Sequence, residues 1–430
     1  MQKIFNKILS TKTKYNSNIV FDTRTLKKND IFIGIETKNN DGSLYYSDAI
    51  NKGSKLIIIN NTKVSGEKII QIKNIQKFIL NFCKFLLDAY KGKVIAITGS
   101  VGKTTVKENI YHVLNNNNYV VYKSYKNFNN KLGLQFSIMN LKLNTDFSIF
   151  ELGINSPNEM KYLTQILKPH YCLITGIENS HIGNFKNFNN LVNNKLQIFN
   201  SQNFKSGLVN YRHDKPNIFK KINQNIKLVN LDSLKREVNK DKIYNIEFNF
   251  NRKKHSINSD MSGINEETAI ITYLFLRIFI KKFISNKFFY KKSIIQSRGN
   301  IINKFYKGNC IRIFDHSYNS SPYSLKKQLY FFNKKRYSKK LCIIGSMKEL
   351  GLNSMDYHLD ILDNFSSFHF DKVIFIGYEF YKIKDKYKKF KFYKSYKEYI
   401  KVMSKDFINF KNVFIMGSRS NQLERIIEII

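Results

Sequence analysis

Short apolar runs alternate with helix-length amphipathic segments through most of the chain, and this alternation limits the fold more than any other feature. In the middle of the chain the apolar runs are KVIAIT (93–98), FSIFEL (147–152) and YCLIT (171–175). The pattern restarts with CIRIF (310–314), KLCIIG (340–345), KVIFIG (372–377) and NVFIMG (412–417). Apolar strands separated by helices are typical of parallel sheets covered by helices. The sequence therefore predicts an α/β protein with doubly wound parallel sheets.

Two or three domains are expected, because 430 residues exceed what one hydrophobic core usually supports, and the pattern of strand and helix candidates separates three regions. The predicted divisions are a small N-terminal α/β module (1–82), a central parallel-sheet domain (83–301) and a C-terminal Rossmann-like domain (302–430). The module holds strand candidates DIFIGI (30–35) and KLIIIN (55–60) on either side of a helix-like SDAINKG (47–53). Ligands of such sheets bind beyond the carboxyl ends of the strands, so the residues that directly follow each strand are the first site candidates.

The cysteine content and the lengths of the apolar runs indicate the cellular compartment of the protein. The four cysteines (Cys83, Cys172, Cys310 and Cys342) are scattered, which favours free thiols in a reducing environment. No stretch approaches the roughly 20 apolar residues of a membrane span. The apolar ITYLFLRIFI (271–280) is interrupted by Arg277 and is interpreted as a buried helix. The N-terminus lacks the features of a signal peptide, so we expect a cytoplasmic protein without membrane insertion.

The net charge of +40 comes from 72 Lys and Arg against 32 Asp and Glu. Such a balance is found in proteins that bind nucleic acid. Here, however, lysine is spread along the chain beside Asn, Ile, Phe and Tyr, whose codons are all A/T-rich, and no dense basic block stands out. A genomic base bias explains that composition, so no nucleic-acid partner is predicted. We expect a monomer.

The segment AITGSVGKTTVKE (96–108) combines the end of an apolar strand, two glycines and a helix start. Gly99 permits a turn, and Gly102 lets the backbone approach an anion. The helix that follows has free N–H groups that favour phosphate, Lys103 can neutralise phosphate oxygens, and the Thr104 hydroxyl can bind Mg²⁺. The alternative is an ordinary strand–turn–helix. The predicted phosphate loop, which makes the central domain resemble a P-loop ATPase, is Gly99, Ser100, Val101, Gly102, Lys103, Thr104 and Thr105.

Two further candidates follow neighbouring strands. Glu151 ends the strand FSIFEL, where its carboxylate could share a Mg²⁺ with Thr104. His181 lies in the loop after YCLIT and would face the same crevice. Taken alone, each is more often a solvated or structural residue. Their positions after parallel strands are what favour a ligand role.

These motifs together resemble the Mur ligase family, the ATP-dependent amino-acid and peptide ligases of cell-wall synthesis. The segments that carry the resemblance are TGSVGKTTVKE (98–108), FELG (150–153), SHIGNF (180–185) and NNKLQIF (193–199). The family uses a shortened phosphate loop, which accounts for Ile97 at a position where the common pattern has glycine.

The family resemblance also implies roles for individual residues. Lys103 and Thr104 would hold ATP phosphates and a first Mg²⁺, with Glu151 as another ligand. A second Mg²⁺ would be bound by His181. Lys195 falls where the family carries a lysine carbamylated by CO₂, whose negative charge would favour a nearby Mg²⁺. The implied catalytic residues are therefore Lys103, Lys195 and His181.

Five segments resemble the branch of the family that adds D-alanyl-D-alanine to a UDP-N-acetylmuramoyl tripeptide. They are FDTRTLKKNDIFIGIETKNNDG (21–42), KNFNNKLGL (126–134), FDHSYNSSPYSL (314–325), GSMKELGLNSMDYH (345–358) and GSRSNQLE (417–424). The resemblance implies that the N-terminal module binds the UDP substrate, the central domain ATP, and the C-terminal domain the dipeptide. Implied ATP contacts in the later part of the chain are Arg298 and Asp315. Implied substrate contacts are Thr23, Arg24, Asp41, Asn129, Asn130, Tyr318, Asn319, Ser418 and Arg419.

Several positions depart from the family pattern and leave alternatives open. They are Thr23 (usually Ser), Ser43 (His), Gly176 (Asn), Gln197 (acidic), Thr268 (near an Asn), Ser346 (Asp) and Met416 (Lys). One alternative is another ligase of the superfamily, adding a different amino acid or acting on folate. A second is a paralogue that binds nucleotide without ligating. A basic nucleic-acid-binding protein is the third.

Overall fold

The computed structural model describes residues 1–37, 40–61, 63–125, 128–178, 182–211, 225–234, 236–239, 244–259, 265–280 and 297–430. Within these ranges the chain forms parallel sheets covered by helices, so the predicted α/β class is confirmed. A four-stranded sheet lies in the N-terminal part and a six-stranded sheet in each of the two later parts.

The N-terminal sheet is parallel and has the strand order β1-β2-β5-β6. The elements of this part are α1 Gln2–Tyr15, β1 Ile19–Val20, β2 Ile31–Ile33, β3 Glu36–Thr37, β4 Asn40–Asp41, α2 Tyr46–Asn51, β5 Leu56–Ile59, β6 Ile69–Gln71 and α3 Ile75–Ala89, of which β3 and β4 form a separate two-stranded antiparallel sheet. The two strands and the helix predicted here are confirmed. The side chain of Asn74 accepts a hydrogen bond from Lys77 N and so caps α3. Phe78 and Phe82 on α3 pack against Phe5 of α1, which attaches both helices to the core.

The central sheet has six parallel strands in the order β12-β11-β10-β7-β9-β8. Its elements are β7 Lys93–Thr98, α4 Lys103–Asn116, β8 Val121–Lys123, α5 Lys131–Met139, β9 Phe147–Glu151, α6 Glu159–Leu167, β10 Tyr171–Ile174, α7 Phe188–Leu196, β11 Ser206–Asn210 and β12 Ile226–Val229. Because β7 lies between β10 and β9, the segments that follow these three strands leave the same edge of the sheet side by side.

A small antiparallel sheet follows, which the sequence patterns did not predict. It consists of β13 Arg236–Asn239, β14 Tyr244–Phe250 and β15 Lys253–Ser259. Strands β13 and β15 each contain a single aliphatic residue, whereas β14 alternates polar and apolar residues, with Ile246 and Phe248 buried. That pattern is typical of a sheet with one solvated face and differs from the apolar runs used for prediction. Helix α8 Asn265–Leu276 comes next, so the apolar segment 271–280 is helical over residues 271–276.

The C-terminal sheet has the order β16-β17-β21-β18-β19-β20, with β16 antiparallel and the others parallel. Its elements are β16 Asn300–Tyr306, β17 Asn309–His316, α9 Pro322–Asn333, β18 Lys340–Gly345, α10 Ser354–Asp363, β19 Lys372–Ile376, α11 Tyr378–Lys382, β20 Lys391–Tyr393, α12 Tyr396–Ile400, α13 Ser404–Asn409, β21 Asn412–Met416 and α14 Glu424–Ile429. Helix α9 begins with a capping box at Ser321 and has Pro322 in its first turn.

Specific polar contacts join the three parts of the chain. Asn140, after α5, exchanges hydrogen bonds with both backbone groups of Ile19 in β1, at 2.8 and 3.0 Å. The Ser321 hydroxyl donates to the Glu178 carboxylate at 3.4 Å, and Lys327 of α9 forms an ion pair with Glu267 of α8. The division at 82/83 and 301/302 remains a prediction. Helix α3 runs continuously through the first of these positions, and β16 runs through the second.

We expect Asn140→Ala to lower the free energy of unfolding by about 1–3 kcal/mol, because it leaves the backbone N–H and C=O of Ile19 without these partners. Urea unfolding measures the change. Asn364→Ala is the matched control, since within the described residues the Asn364 side-chain amide donates to Asp360, one turn away on an exposed surface. Equal stability of the two variants would contradict the assignment of Asn140 as a joint between the two sheets.

Candidate active site

The loop between β7 and α4 has the backbone shape that the sequence predicted. Gly99 has φ 148° and Gly102 has φ 81°, values that side-chain-bearing residues rarely adopt. A Cβ at Gly99 would lie 2.2 Å from Thr175 Oγ1, so glycine is required there. Ser100 N donates to Gly176 O at 2.7 Å, which holds the loop against the segment that follows β10. No side chain caps α4 at Gly102, so its first N–H groups remain directed at the loop.

Lys103 folds back over this loop. Its Nζ donates to Gly99 O at 2.8 Å and to Ser100 O at 3.3 Å. Burial lowers the pKa of Lys103 below its ordinary value, and the carboxylate of Glu151 opposes that shift. The ammonium group therefore lies inside the loop, where it can exchange carbonyl contacts for contacts with an anion.

Glu151 is the buried acid of the site, with 1% of its surface exposed. Its Oε2 accepts a hydrogen bond from Thr104 Oγ1 at 2.8 Å, and its Oε1 accepts one from Asn129 Nδ2 at 2.9 Å. Lys107 Nζ lies 4.0 Å from Oε2. Burial lowers the pKa of Lys107, and the neighbouring carboxylates, Glu151 first, oppose the shift. The Thr104 hydroxyl and the Glu151 carboxylate are thus adjacent oxygen donors, as the sequence predicted.

Lys195 at the end of α7 is 2% exposed, and its Nζ donates to Gly99 O at 3.4 Å. It therefore shares a carbonyl acceptor with Lys103. Burial lowers the pKa of Lys195 to about 7, and the charge of Lys103 acts in the same direction. A buried amine with this pKa exists partly in the neutral form at neutral pH, and the neutral form is the nucleophile.

A cavity of about 390 Å³ opens in front of these groups, and residues from the C-terminal part of the chain form its far side. The Arg298 guanidinium lies 3.9 Å from the centre of the Tyr318 ring, which fixes its direction by a cation–π contact. Arg419 approaches the same ring at 5.4 Å. The predicted residues that line the cavity are Ser100, Val101, Gly102, Lys103, Thr104, Thr105, Asn129, Asn130, Glu151, Lys195, Arg298, Tyr318 and Asn319.

Other predicted residues do not line this cavity. Asp315 is 2% exposed, and its Oδ1 accepts hydrogen bonds from Ser317 N and Ser317 Oγ, so it shapes the turn after β17. The next residue, His316, lines the cavity instead. Ser418 Oγ accepts from Lys348 N at 3.0 Å. His181 lies outside the described residues.

The residues predicted to bind a UDP substrate lie in the N-terminal part, away from the lining of this cavity. Thr23 is buried, and its carbonyl accepts a hydrogen bond from Lys52 Nζ at 2.8 Å. Arg24 is exposed and forms an ion pair with Asp22 at 2.7 Å. Asp41 Oδ1 accepts from Ser43 N at 2.8 Å, which caps a short turn.

The oxygen donors of this site suit Mg²⁺. Among the described residues no group of three or more His, Cys, Asp and Glu side chains is close enough to hold a metal. Mg²⁺ does not require such a cage, since it is usually held by one or two carboxylates together with waters and substrate phosphates. The adjacent oxygen atoms of Glu151 and Thr104 fit that kind of partial coordination. The part of the chain that is described contains no helix with the length and apolar character needed to cross a membrane.

Sequence reasoning missed several residues of the site. Lys107 belongs to the segment that contains the predicted loop, but a lysine on a helix is usually exposed, so its residue type does not show that the side chain points inward. Glu178, Glu267 and Lys327 join the walls of the cleft through contacts between distant parts of the chain. Only periodicity on α4 hinted at Lys107, since it lies one turn after Lys103.

Comparison with known proteins places these features in a family. A profile of the Mur ligase middle domain matches residues 97–286. The UDP-N-acetylmuramoyl-tripeptide–D-alanyl-D-alanine ligase of Rickettsia prowazekii is 29% identical over 380 residues, covering 84% of this chain and 82% of the relative. The protein of the same name from Borreliella burgdorferi is 30% identical over 390 residues, covering 85% of this chain and 80% of the relative.

A solved structure shares the fold. The crystal structure of MurF ligase from Thermotoga maritima in complex with ADP superposes with a TM-score of 0.77 at 21% identity and covers 96% of both chains. The phosphate loop, Glu151 and Lys195 all fall within the matched middle domain. The fold, the site geometry and the identity to full-length relatives lead to one conclusion: the chain belongs to the Mur ligase family.

Proposed function

We propose that the protein is an ATP-dependent ligase that joins D-alanyl-D-alanine to a UDP-N-acetylmuramoyl tripeptide in peptidoglycan precursor synthesis. The observation that carries the proposal is the adjacency of Lys103, Thr104 and Glu151 at a cleft closed by Arg298 and Tyr318. The relatives that match most of the chain bear the name of this activity. The ADP complex of a protein with the same fold supports ATP as the nucleotide.

The proposed reaction has two steps. In the first, a carboxylate oxygen of the tripeptide bonds to the γ-phosphorus of ATP, the bond to the β,γ-bridging oxygen breaks, and ADP leaves. In the second, the neutral amine of the dipeptide bonds to the acyl carbon, the carbon–oxygen bond to phosphate breaks, and the proton lost by the nitrogen passes to the released phosphate or to solvent. An amide and inorganic phosphate result. Such phosphoryl transfer depends on positioning and charge stabilisation more than on acid–base groups.

The chain's own residues divide this work. Lys103 would neutralise the terminal phosphate oxygens, and the loop N–H groups would hold them in place. Arg298, aligned by Tyr318, would contact the nucleotide from the opposite wall. Thr104 and Glu151 would hold Mg²⁺, and His181 a second ion. Bound there, Mg²⁺ supplies positive charge beside the phosphate oxygens.

Lys195 is proposed to carry a carbamate. Its amine is buried, beside Lys103 and the phosphate loop, and its lowered pKa of about 7 provides neutral amine to react with CO₂. The ammonium group first loses one proton to give the neutral amine; its nitrogen then bonds to the carbon of CO₂ and loses a second proton, so a buried cation becomes an anion and two protons pass to solvent. That anion would add an oxygen donor beside the phosphate loop, where Thr104 and Glu151 already supply two.

The substrates are proposed to enter from opposite ends of the cleft. The UDP moiety would bind the N-terminal module near Thr23, Arg24 and Asp41. The dipeptide would bind the C-terminal part, where Tyr318, Asn319, Ser418 and Arg419 cluster, while Asn129 and Asn130 contact the acceptor peptide. Residues 1–82, 83–301 and 302–430 would then act as three substrate-binding domains. Closing the last one over ATP would exclude water and protect the acyl phosphate from hydrolysis.

We expect phosphate release from ATP to require both the UDP-tripeptide and D-alanyl-D-alanine, because the acyl phosphate is consumed only by the incoming amine. A phosphate assay with each substrate omitted in turn measures this. Release with another amino acid in place of the dipeptide would favour a different ligase of the family. ADP binding without any turnover would favour a non-catalytic paralogue.

Lys103→Met is expected to lower kcat at least about 100-fold, because it removes a preorganised positive charge from the site of phosphoryl transfer. The steady-state rate of phosphate release measures the loss. Lys401→Met, at an exposed lysine of the C-terminal part, serves as the control and should keep wild-type kcat. A Lys103→Met variant with wild-type turnover would refute the role of this lysine.

Lys195→Ala is expected to abolish a carbamate signal in ¹³C NMR of protein equilibrated with ¹³C-bicarbonate, because it removes the amine that reacts with CO₂. It should also lower activity by at least about tenfold, the usual effect of losing a group that supports a metal site. Lys401→Ala should leave both measurements unchanged. Undiminished ligation by Lys195→Ala would contradict the proposed metal role of this lysine.

A further inference from the structure

Lys107 is a buried cation to which the proposed chemistry assigns no role. It lies on α4, four residues after Lys103 and three after Thr104, so all three side chains share one face of the helix. It is 0% exposed, which is rare for lysine unless the charge is compensated. A buried lysine at this position therefore calls for an explanation in terms of its neighbours.

Those neighbours include the acid of the site. Lys107 Nζ donates a hydrogen bond to Ser124 O at 3.0 Å and lies 4.0 Å from Glu151 Oε2 and 3.8 Å from Glu108 Oε1. Glu108 also pairs with Lys123, whereas the buried Glu151 carboxylate accepts hydrogen bonds from two neutral donors, has Lys107 at 4.0 Å and also interacts electrostatically with Lys103. Lys107 is thus a positive charge placed next to a carboxylate that solvent barely reaches.

The same small network controls where Glu151 points. Ser124 Oγ accepts a hydrogen bond from Glu151 N at 3.2 Å, while Ser124 O accepts the one from Lys107. The Glu151 backbone and the Lys107 ammonium group are therefore both attached to Ser124. Thr104 and Asn129 then each occupy one carboxylate oxygen. Lys107 completes a ring of contacts that leaves the Glu151 carboxylate one arrangement, facing the cavity.

We infer that Lys107 is a positioning residue that aligns and electrically balances the Glu151 carboxylate and so sets the affinity of the site for a divalent cation. The inference rests on the proposed function for the identity of the metal site. Removal of a group that hydrogen-bonds to a metal ligand and orients it typically lowers metal affinity or activity by about 10–100-fold.

A competing effect has the opposite sign. The positive charge of Lys107 next to Glu151 also repels a cation bound by that carboxylate. A purely electrostatic role therefore predicts tighter metal binding when Lys107 is neutralised. A purely structural role predicts lower stability with unchanged metal affinity. Metal affinity, measured apart from turnover, separates the three effects.

The test is a titration of the full chain with Mn²⁺ in the presence of ADP. The electron paramagnetic resonance signal of free Mn²⁺ measures how much of the ion is bound. Lys107→Gln removes the charge and keeps a donor, and it is expected to weaken Mn²⁺ binding about tenfold or more. Lys107→Arg keeps the charge and is expected to stay within about threefold of wild type. ADP binding without metal should change little in either variant, since Lys107 does not line the cavity.

Lys340→Gln is the matched control. Lys340 is another buried lysine whose Nζ donates to a backbone carbonyl, that of Asn333, at 3.2 Å, but it lies in the C-terminal sheet. It should leave Mn²⁺ affinity unchanged even where it lowers stability. Unchanged or tighter Mn²⁺ binding by folded Lys107→Gln overturns the inference. If that variant is too unstable to purify, folded Lys107→Arg decides: binding tenfold weaker than wild type overturns the inference, and near-wild-type binding supports it.

These outcomes are independent of ligase activity. A chain that binds Mn²⁺ and ADP without ligating D-alanyl-D-alanine would refute the proposed function and leave the role of Lys107 intact. Full ligase activity, together with Mn²⁺ affinity that does not change in Lys107→Gln, would support the proposed function and refute the role of Lys107.

Discussion

The hydrogen bond between Thr104 Oγ1 and Glu151 Oε2 is the contact on which the rest of the site depends. It joins the first turn of α4 to the end of β9 and is buried between them. The bond is possible because β7 and β9 are adjacent parallel strands, with Ile97 paired to Glu151. That register brings the loop after β7 and the acid at the end of β9 to the same edge of the sheet. A one-residue slip would turn Glu151 to the other face.

Ile97 has a structural place in this arrangement. It is fully buried in the core next to Glu151, at the position where longer phosphate loops already carry a glycine. The strand continues to Thr98 before the chain turns at Gly99. The turn is tight because Thr175 and Gly176, after β10, lie directly against it. The short loop is therefore the consequence of a strand that extends further and a neighbour that approaches closely.

Much of the site could be predicted from local sequence. The phosphate loop follows from two glycines between an apolar strand and a helix, and Glu151 from its position at a strand end. Asp315 also follows a strand, but its carboxylate is used by Ser317, so strand-end position alone cannot tell a ligand from a turn former. The antiparallel sheet β13–β15 was missed because its strands are mostly polar and none contains a continuous apolar run. Lys107 was missed because burial depends on what packs over a helix face, which no local pattern records.

By itself the sequence determined the α/β class, the strands with long apolar runs in the two large sheets, and the backbone turn at Gly99 and Gly102, because apolar periodicity, glycines and helix starts act over a few residues. It also carried the family resemblance, which lies in short motifs. Only the tertiary structure decided which charged side chains meet. Lys107 balances Glu151, Lys195 shares a carbonyl with Lys103, and Arg298 is aligned by Tyr318. The physical reason is that the cost of burying a charge, and the partner that offsets it, depend on packing between segments far apart in the chain.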